Sequence, residues 1–460
     1  MADIDRGAFG SRGHKGPKLL RVAMVTLIIA FLFVSSLSLL PNPSSENPLA
    51  PVPAKISYTS HAPISINGNA EFNKTNFPLN GVASGNGTAS NPYIIEGWDI
   101  NASTSIGIRV YNANVHFIIR NCDVHDGSVI YSGIDLVSCS NVSLISNNCS
   151  KNENGLSLRL CSNGLLLDNM LRLNFGRGAY LNHSSHFIVS NNTCSNSYQG
   201  ITLDRSDNIT IRNNTCRMMN NYGIYLERSN RVKLIGNNCS GNDYGIYVDW
   251  SKNCSISFNN CSENGLGVYL YLSGNSNVTA SNNTISENTF YGMYIIFSRD
   301  NIFTNNTVAL NNIYGICIMF SINNTFSYNL VAYTTGVGMY LDSFSSYNRI
   351  WNNTLINNNG ASSVYNTSHI QAYDDGTNNR WNTSGTPHGY GNNWSDWRAP
   401  DDDWDGIVDN SYNISGSAGA KDYYPLTVPG TPIPEFSEMV VPIVGLMLIA
   451  LIFSRARKKP

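Results

Sequence analysis

The sequence predicts an all-β protein, a parallel β-helix solenoid of about 11 coils with a hydrophobic segment near each terminus. Two markers recur in phase along the chain, with a step of roughly 23 residues. Between the markers, apolar and polar residues alternate, as in Ile224, Tyr225 and Leu226. A period of two indicates strands, and so short a unit leaves no room for a helix.

The first marker is the glycine of a recurrent YGI-like triplet, and the second is an asparagine that precedes Thr, Cys, Met or Leu. The glycines are Gly107, Gly133, Gly155, Gly178, Gly200, Gly223, Gly245, Gly267, Gly292, Gly315 and Gly338. The asparagines are Asn148, Asn169, Asn192, Asn214, Asn238, Asn260, Asn283, Asn306, Asn329 and Asn353. Each unit is therefore predicted to form one coil, whose short strands pair with the next coil about 4.8 Å along the axis.

The asparagine marker predicts a ladder of side-chain amides inside the coils. Identical amides in register can hydrogen-bond along the axis, which satisfies polar groups that are costly to bury unpaired. The predicted ladder comprises Asn192, Asn214, Asn238, Asn260, Asn283 and Asn306. Most cysteines lie near the same turns, and we interpret them as buried thiols rather than disulfides, because the rung spacing is at the long edge of disulfide geometry.

The chain before the coils divides into three predicted parts. Residues 1–40 contain basic residues followed by an apolar run from Val22 to Leu40, which is typical of a signal peptide or an N-terminal anchor. Residues 41–55 are rich in proline and are expected to be an extended linker. Residues 56–106 are expected to form an N-terminal cap with the first strands, and residues 107–380 form the repeats.

The chain after the coils begins with a predicted C-terminal cap, residues 381–426. In this cap Asp401, Asp403, Asp405 and Asp409 place carboxylates in the pattern of a calcium loop. A structural calcium site and a solvated acidic turn are the two interpretations. Residues 427–438 form a second linker, and residues 439–460 combine a short apolar run with a basic end, which predicts a membrane anchor.

One outward-facing column carries acidic residues, four positions after the marker glycine. Asp204, Glu227 and Asp249 are expected to stand about 5 Å apart on adjacent coils and about 10 Å apart across two. These distances bracket the carboxylate separations of retaining and inverting glycosidases, which makes the three candidate catalytic residues. The alternative is a surface ladder in which the acids pair with Arg205 and Arg228.

A second column carries aromatic residues and predicts glycan binding. Flat rings with hydroxyl edges suit the apolar faces and hydroxyls of sugars, although aromatic residues also simply favour strands. The candidate glycan-binding residues are Tyr180, Tyr225, Tyr247, Tyr269 and Tyr294, with Trp250 in the adjoining turn.

Three stretches carry a resemblance: GNGTASNPYIIEGWDI at Gly85–Ile100, the YGIYL rungs, and the closing GNNWSDW with DDDWDGIVDNSYNI and DYYPL. Together they resemble surface proteins of the NosD-like β-helix family, over roughly Ile56 to Leu426. The resemblance implies a right-handed β-helix of the pectin-lyase-like class, in a family linked to periplasmic copper proteins and to carbohydrate binding or hydrolysis. The IPEF tail with its apolar run and basic end is similar to PEF-type sorting signals, which implies a sorting transpeptidase as a partner.

Copper is not expected in this chain despite the resemblance. The methionines form no cluster typical of soft copper sites. The histidines are scattered, among them His116, His125, His183, His186, His369 and His388.

The composition of the chain limits the classes of function that it can have. Charged residues are only 13% of the chain and the net charge is −2, which argues against a nucleic-acid partner. We therefore predict an exported, membrane-tethered cell-surface β-helix that binds envelope or extracellular polysaccharide or serves as an envelope scaffold. The alternative is a polysaccharide lyase or glycoside hydrolase that acts on the outer face of the helix.

Overall fold

The computed structural model describes residues 58–72, 80–384 and 389–428. They form a parallel β-solenoid of about 11 turns, which confirms the predicted fold class. Three sheets run along the axis, and most coils contribute one strand to each sheet. The two predicted hydrophobic segments, both linkers and the sorting motif lie almost entirely outside the described residues.

Sheet 1 contains the YGI-like strands, and its thirteen strands are paired in parallel. They are Ile64–Asn67, Ile108–Tyr111, Ile134–Val137, Leu156–Arg159, Arg177–Asn182, Gln199–Asp204, Tyr222–Glu227, Tyr244–Asp249, Leu266–Asn275, Tyr291–Arg299, Tyr314–Met319, Val337–Leu341 and Ala372–Asp374.

Sheet 2 also has thirteen strands, of which only the first pair is antiparallel. They are Val82–Ser84, Tyr93–Glu96, Phe117–Arg120, Ser140–Ile145, Ser162–Leu167, Ser185–Ser190, Thr210–Arg212, Lys233–Ile235, Ser255–Ser257, Thr279–Ser281, Ile302–Thr304, Thr325–Ser327 and Arg349–Trp351.

Sheet 3 consists of two blocks joined by isolated bridges at Asn238 and Asn260. Its strands are Thr59–Ser60, Trp98–Asn101, Asp123–His125, Asn148–Ser150, Met170–Arg172, Thr193–Ser195, Thr215–Arg217, Thr284–Ser286, Thr307–Ala309, Leu330–Ala332, Thr354–Ile356 and Asn393–Trp394. A small antiparallel pair, Tyr412–Asn413 with Lys421–Asp422, closes the C-terminal cap. Two short 3-10 turns occur at Asn69–Phe72 and Asn358–Gly360.

The marker glycines are required because successive coils approach closely. A Cβ placed on Gly223 would lie 2.6 Å from the carbonyl oxygen of Gly245 and 2.8 Å from Nδ2 of Asn242. On either side, apolar side chains stack in register inside the coil, as Ile201, Ile224 and Ile246 do. The glycines therefore recur at the positions where the backbone of one coil lies close to the next coil.

A continuous amide ladder runs through the turn that precedes sheet 3. Each Nδ2 donates to the Oδ1 of the next coil's asparagine at 2.8–3.0 Å. Its members are Asn147, Asn169, Asn192, Asn214, Asn237, Asn259, Asn283, Asn306, Asn329, Asn353 and Asn392. All of them are buried, so the ladder is part of the core.

Two predicted ladder residues are corrected by the structure. Asn238 and Asn260 are half-buried and lie one position beyond the ladder, whose members in those coils are Asn237 and Asn259. The ladder residue is the one that follows a left-handed residue. That residue is an asparagine in several coils, such as Asn213 before Asn214, but it is Gly236 before Asn237 and Phe258 before Asn259. An Asn–Asn pair in the sequence therefore has two possible alignments, and the backbone conformation decides between them.

A second buried ladder lies in the turn that precedes sheet 1. Here the backbone N–H of each coil donates to the next side-chain amide, as from Asn242 to Asn264 and from Asn264 to Asn288, both at 2.9 Å. All ten cysteines are buried free thiols, as expected. Cys122 occupies the position of the first ladder one coil before Asn147, whose Oδ1 accepts its N–H at 3.2 Å.

Among the described residues, no helix has the length and apolarity needed to span a membrane.

The ladder predicts that Asn237→Leu is much more destabilising than Asn238→Leu. Asn237 Oδ1 accepts both the backbone N–H and Nδ2 of Asn214 at 3.0 Å, and its own Nδ2 donates to the carbonyl of Ile211 at 2.9 Å. Leucine would leave these groups buried without partners, at about 1–3 kcal/mol for each. Denaturant unfolding of the two variants measures the difference, and equal losses of stability would contradict the ladder assignment.

Candidate functional site

The structure brings the three predicted carboxylates together. Asp204, Glu227 and Asp249 occupy the same position on successive strands of sheet 1 and are direct register partners. We call them the carboxylate column. Asn182 continues the column in one direction and Tyr271 in the other. All three carboxylates are half-buried at the outer end of their strands.

Asp249 differs from its neighbours in its electrostatic environment. Burial raises the pKa of Asp249, and the negative charge of Glu227 raises it further. Its Oδ2 accepts the hydroxyl of Tyr225 at 3.4 Å, whereas its Oδ1 is buried without a hydrogen-bond partner. A carboxyl group whose pKa is raised beside a second carboxylate is the arrangement that general acid–base catalysis uses.

The surface-ladder alternative paired acids with arginines of neighbouring coils, whereas the ion pairs seen here join adjacent residues of one coil and are long. Arg205 lies 3.8 Å from Asp204, and Arg228 lies 3.9 Å from Glu227. Both arginines are about half exposed, so these pairs contribute little to stability. Asp204 is held more closely by Asn182, whose Nδ2 donates to its Oδ2 at 2.6 Å.

The predicted glycan-binding tyrosines form a stack along the axis. Ring centroids of Tyr225, Tyr247, Tyr269 and Tyr294 are 4.5–5.0 Å apart with nearly parallel planes. Both faces of Tyr247 and of Tyr269 therefore contact neighbouring rings, and Tyr244 packs against both of them as well. Burial raises the pKa of Tyr269 to about 12, so its hydroxyl remains a neutral donor.

The ring of Tyr180, the first residue of this predicted set along the chain, is also partly covered. The guanidinium of Arg177 lies 4.3 Å from its ring centroid. Sugar stacking on ring faces, the reason for the prediction, therefore does not apply to the interior of the tyrosine stack.

Trp250 belongs to a different set of rings, which lie in sheet 1 strands or in the turns that follow them. We call this set the aromatic row: Trp250, Tyr271, Phe297, Phe320 and Phe344. Trp250 and Tyr271 are tilted at 6.5 Å, and Tyr271 meets Phe297 edge to face at 5.5 Å. Tilted and edge contacts cover less of a ring face than parallel stacking does, and Trp250 is 49% exposed.

A groove follows the aromatic row along the axis. Its first part is a depression of about 450 Å³ lined by Trp250, Tyr271, Phe297, Ser298, Arg299, Phe320 and Ile322. Its second part, of about 400 Å³, is lined by Arg299, Asp300, Ile322, Asn323, Tyr347, Arg349, Asn378 and Arg380. The two share Arg299 and Ile322, so we treat them as one axial groove, apolar at one end and polar at the other.

The Asp-rich loop of the C-terminal cap forms an acidic cluster. Oxygen atoms of Asp401, Asp403 and Asp405 lie within 4.8 Å of one another. Asp409 instead closes the loop, because its Oδ2 accepts the backbone N–H of Asp402 at 2.9 Å. Three of the four predicted calcium ligands are thus close enough to share a cation.

His125 and the interior cysteines are poorly suited to bind copper. His125 has both ring nitrogens in hydrogen bonds, with Asp99 at 2.9 Å and Asp126 at 2.8 Å. Burial raises the pKa of Cys254 to about 11, and it also raises the pKa of Cys261. Metals bind the thiolate, so such protonated interior thiols are poor copper ligands.

Sequence reasoning missed most of the axial groove. Reading one position beyond the carboxylate column gives Arg205, Arg228 and Trp250, and this turn position later becomes Phe297 and Phe320. The longer strand Leu266–Asn275 has an irregular register, so the repeat spacing cannot be followed through it from the earlier coils to the later ones. The groove arginines Arg349 and Arg380 are register partners, but an enlarged coil separates them by more than one repeat in the sequence.

A family model described as periplasmic copper-binding protein (NosD) matches the chain over residues 64–238 and 216–399. In a sequence comparison, no curated protein matches.

Several solved structures are similar in fold. The chain is 11% identical to the A-module of Azotobacter vinelandii mannuronan C-5 epimerase AlgE4, with a TM-score of 0.41, covering 73% of this chain and 89% of that one. A mutant of the periplasmic alginate epimerase AlgG is 14% identical, with a TM-score of 0.40 and coverage of 62% and 77%. A tailspike double mutant of E. coli bacteriophage HK620, in complex with a pentasaccharide, is 13% identical, with a TM-score of 0.40 and coverage of 62% and 63%. Likeness at this level concerns the fold and does not carry a function across.

Proposed function

The chain belongs to the NosD family, and from this premise we propose that its β-helix binds a polysaccharide chain along the axial groove. The observation that carries the proposal is the exposed aromatic row beside a depression of about 450 Å³. Aromatic rings at a wet surface present an apolar face with polar surroundings, which matches the apolar faces and hydroxyls of a sugar.

The polar lining supports the same occupant. Asn323 and Asn378 in the second part of the groove carry amides that both donate to and accept from hydroxyl groups. The groove is open and runs over several coils, so an extended polymer fits it better than a compact small molecule does. Trp250 is the residue of the predicted glycan-binding set that lines this groove.

A polysaccharide lyase or glycoside hydrolase is the second candidate function. It is favoured by one observation, the raised pKa of Asp249 beside Glu227 at the Trp250 end of the groove. A polymer held by Trp250 would pass the carboxylate column, since Trp250 directly follows Asp249 in the chain. In this candidate Asp204, Glu227 and Asp249 supply the acid and the base.

We propose that the protein is exported and tethered at the cell surface, with the β-helix outside the cytoplasm. The support is the sequence of the two terminal hydrophobic segments and the basic C-terminal end. A sorting transpeptidase remains a proposed partner.

Calcium is the proposed structural ion at Asp401, Asp403 and Asp405, because oxygen ligands suit it and its concentration outside cells is high.

Binding along the groove predicts that Trp250→Ala with Phe297→Ala weakens retention of the full chain, purified in detergent, on immobilised polysaccharide. Loss of two stacking rings should lower affinity about tenfold or more. Phe258→Ala is the matched control, because Phe258 is also an exposed left-handed aromatic residue but does not line the groove. Retention is scored on neutral and uronic polysaccharides. Equal retention by parent and double variant on every polymer would refute the proposal, and no retention by the parent would favour an envelope scaffold.

The second candidate predicts that the parent shortens a retained polymer and that Glu227→Gln abolishes this cleavage while sparing retention. Glutamine keeps the shape of the side chain and removes its charge. New chain ends are measured alongside retention. Arg228→Gln is the control for charge loss in the adjoining turn. Cleavage that persists in Glu227→Gln would remove the carboxylate column from the mechanism.

The acidic cluster predicts that millimolar calcium raises the melting temperature of the full chain and that a chelator lowers it. Asp403→Asn should abolish the difference between the two melts, because it removes one of the three clustered carboxylates. Melting is followed by the fluorescence of the buried cap residues Trp381 and Trp394. Identical melts with calcium and with chelator would show that the loop is only an acidic turn.

A further inference from the structure

The polar end of the axial groove carries three exposed arginines, Arg299, Arg349 and Arg380. Arg349 and Arg380 are register partners on adjacent coils. Like charges that face each other across neighbouring strands repel, so this pair weakens the solenoid rather than stabilising it. A repulsive pair kept at the surface of a groove indicates a role toward a ligand.

The three arginines have no acidic partner within the described part of the chain. The ion pairs at 4.0 Å or less in the described residues involve other basic residues, such as Arg159 with Asp135 and Arg231 with Asp207. The one carboxylate that lines this end, Asp300, accepts the Nδ2 of Asn323 at 2.6 Å. The polar end is therefore a local positive surface on a chain whose net charge is −2.

We infer that the groove selects polysaccharides that carry carboxylate groups, such as uronic acid polymers. The inference rests on the proposed function and names its substrate class. A guanidinium binds a carboxylate through two parallel N–H donors, a geometry that a neutral sugar hydroxyl cannot match. The aromatic row holds the apolar faces of the sugar rings, and the arginines hold the acidic substituents of sugars further along the same chain.

The sheet 2 column that contains Arg349 and Arg380 also supplies a residue for the control variant. Going along sheet 2, the same register position is occupied by Lys233, Ser255, Thr279, Ile302 and Thr325 before it reaches Arg349 and Arg380. Lys233 is an exposed cation in that column, several coils away from the groove. Its substitution removes one positive charge from the same column without changing the groove.

The test compares polygalacturonate with its fully methyl-esterified form, which has the same backbone without the charges. We expect the parent, as the full chain in detergent, to bind polygalacturonate more tightly and to lose this preference as salt rises. Arg349→Gln with Arg380→Gln should weaken polygalacturonate binding about tenfold or more and leave binding to the ester unchanged. Lys233→Gln should behave as the parent.

The outcomes separate this inference from the proposed function. Equal binding of both polymers by parent and arginine variant, with loss in Trp250→Ala and Phe297→Ala, overturns the charge selection and leaves groove binding intact. Binding of neither polymer overturns the charge selection, whereas the proposed function fails only if the parent also retains no neutral polysaccharide. A single-stranded oligonucleotide is tested at the same salt, because rings and arginines also suit nucleic acid. Tighter binding of the oligonucleotide than of polygalacturonate would make nucleic acid the occupant and overturn the inference.

Discussion

Every coil of this protein depends on the next coil for its backbone hydrogen bonds. The strands are three to ten residues long in most coils, and they pair in parallel with the same segment one repeat away. A single coil cannot satisfy its own backbone groups or cover its own apolar residues, so stability comes from stacking. This translation by one coil determines the spacing of glycines, asparagines and apolar residues in the part of the solenoid that the structure describes.

The backbone N–H and C=O groups of the turns must also find hydrogen-bond partners, and side chains provide them. Where the backbone turns a corner, N–H and C=O groups point inward and would be buried without partners. Asparagine provides both a donor and an acceptor, so a column of asparagines can serve each turn and also link the coils at 2.8–3.0 Å. The ladder ends at the C-terminal cap, where Asn392 donates to the buried carboxylate of Asp422. A polar interior is therefore consistent with a stable core.

Because the interior and the turns are occupied by stacking, the outer side chains are free to vary, and the candidate site lies there. The same turn position carries Arg205 and Arg228 in one region and Phe297 and Phe320 in another, with little consequence for the fold. The tyrosine stack restricts this variation for binding, because outward-facing rings that are one coil apart cover each other's faces. The rings around Tyr271 stack less closely than the tyrosines do, and the irregular register there coincides with the groove.

The sequence by itself determined the fold class, the repeat, the position of the carboxylate column and the acidic loop, because all of these follow a fixed residue spacing. It placed Asn192, Asn214, Asn283 and Asn306 in the ladder but misassigned Asn238 and Asn260. In an Asn–Asn pair only the backbone conformation shows which residue turns inward. Tertiary structure alone decided the axial groove, because Arg349 and Arg380 come together through an enlarged coil that breaks the period. Spacing in the sequence reports contacts between regular coils, whereas a site formed where the coils are irregular depends on how the chain packs in space.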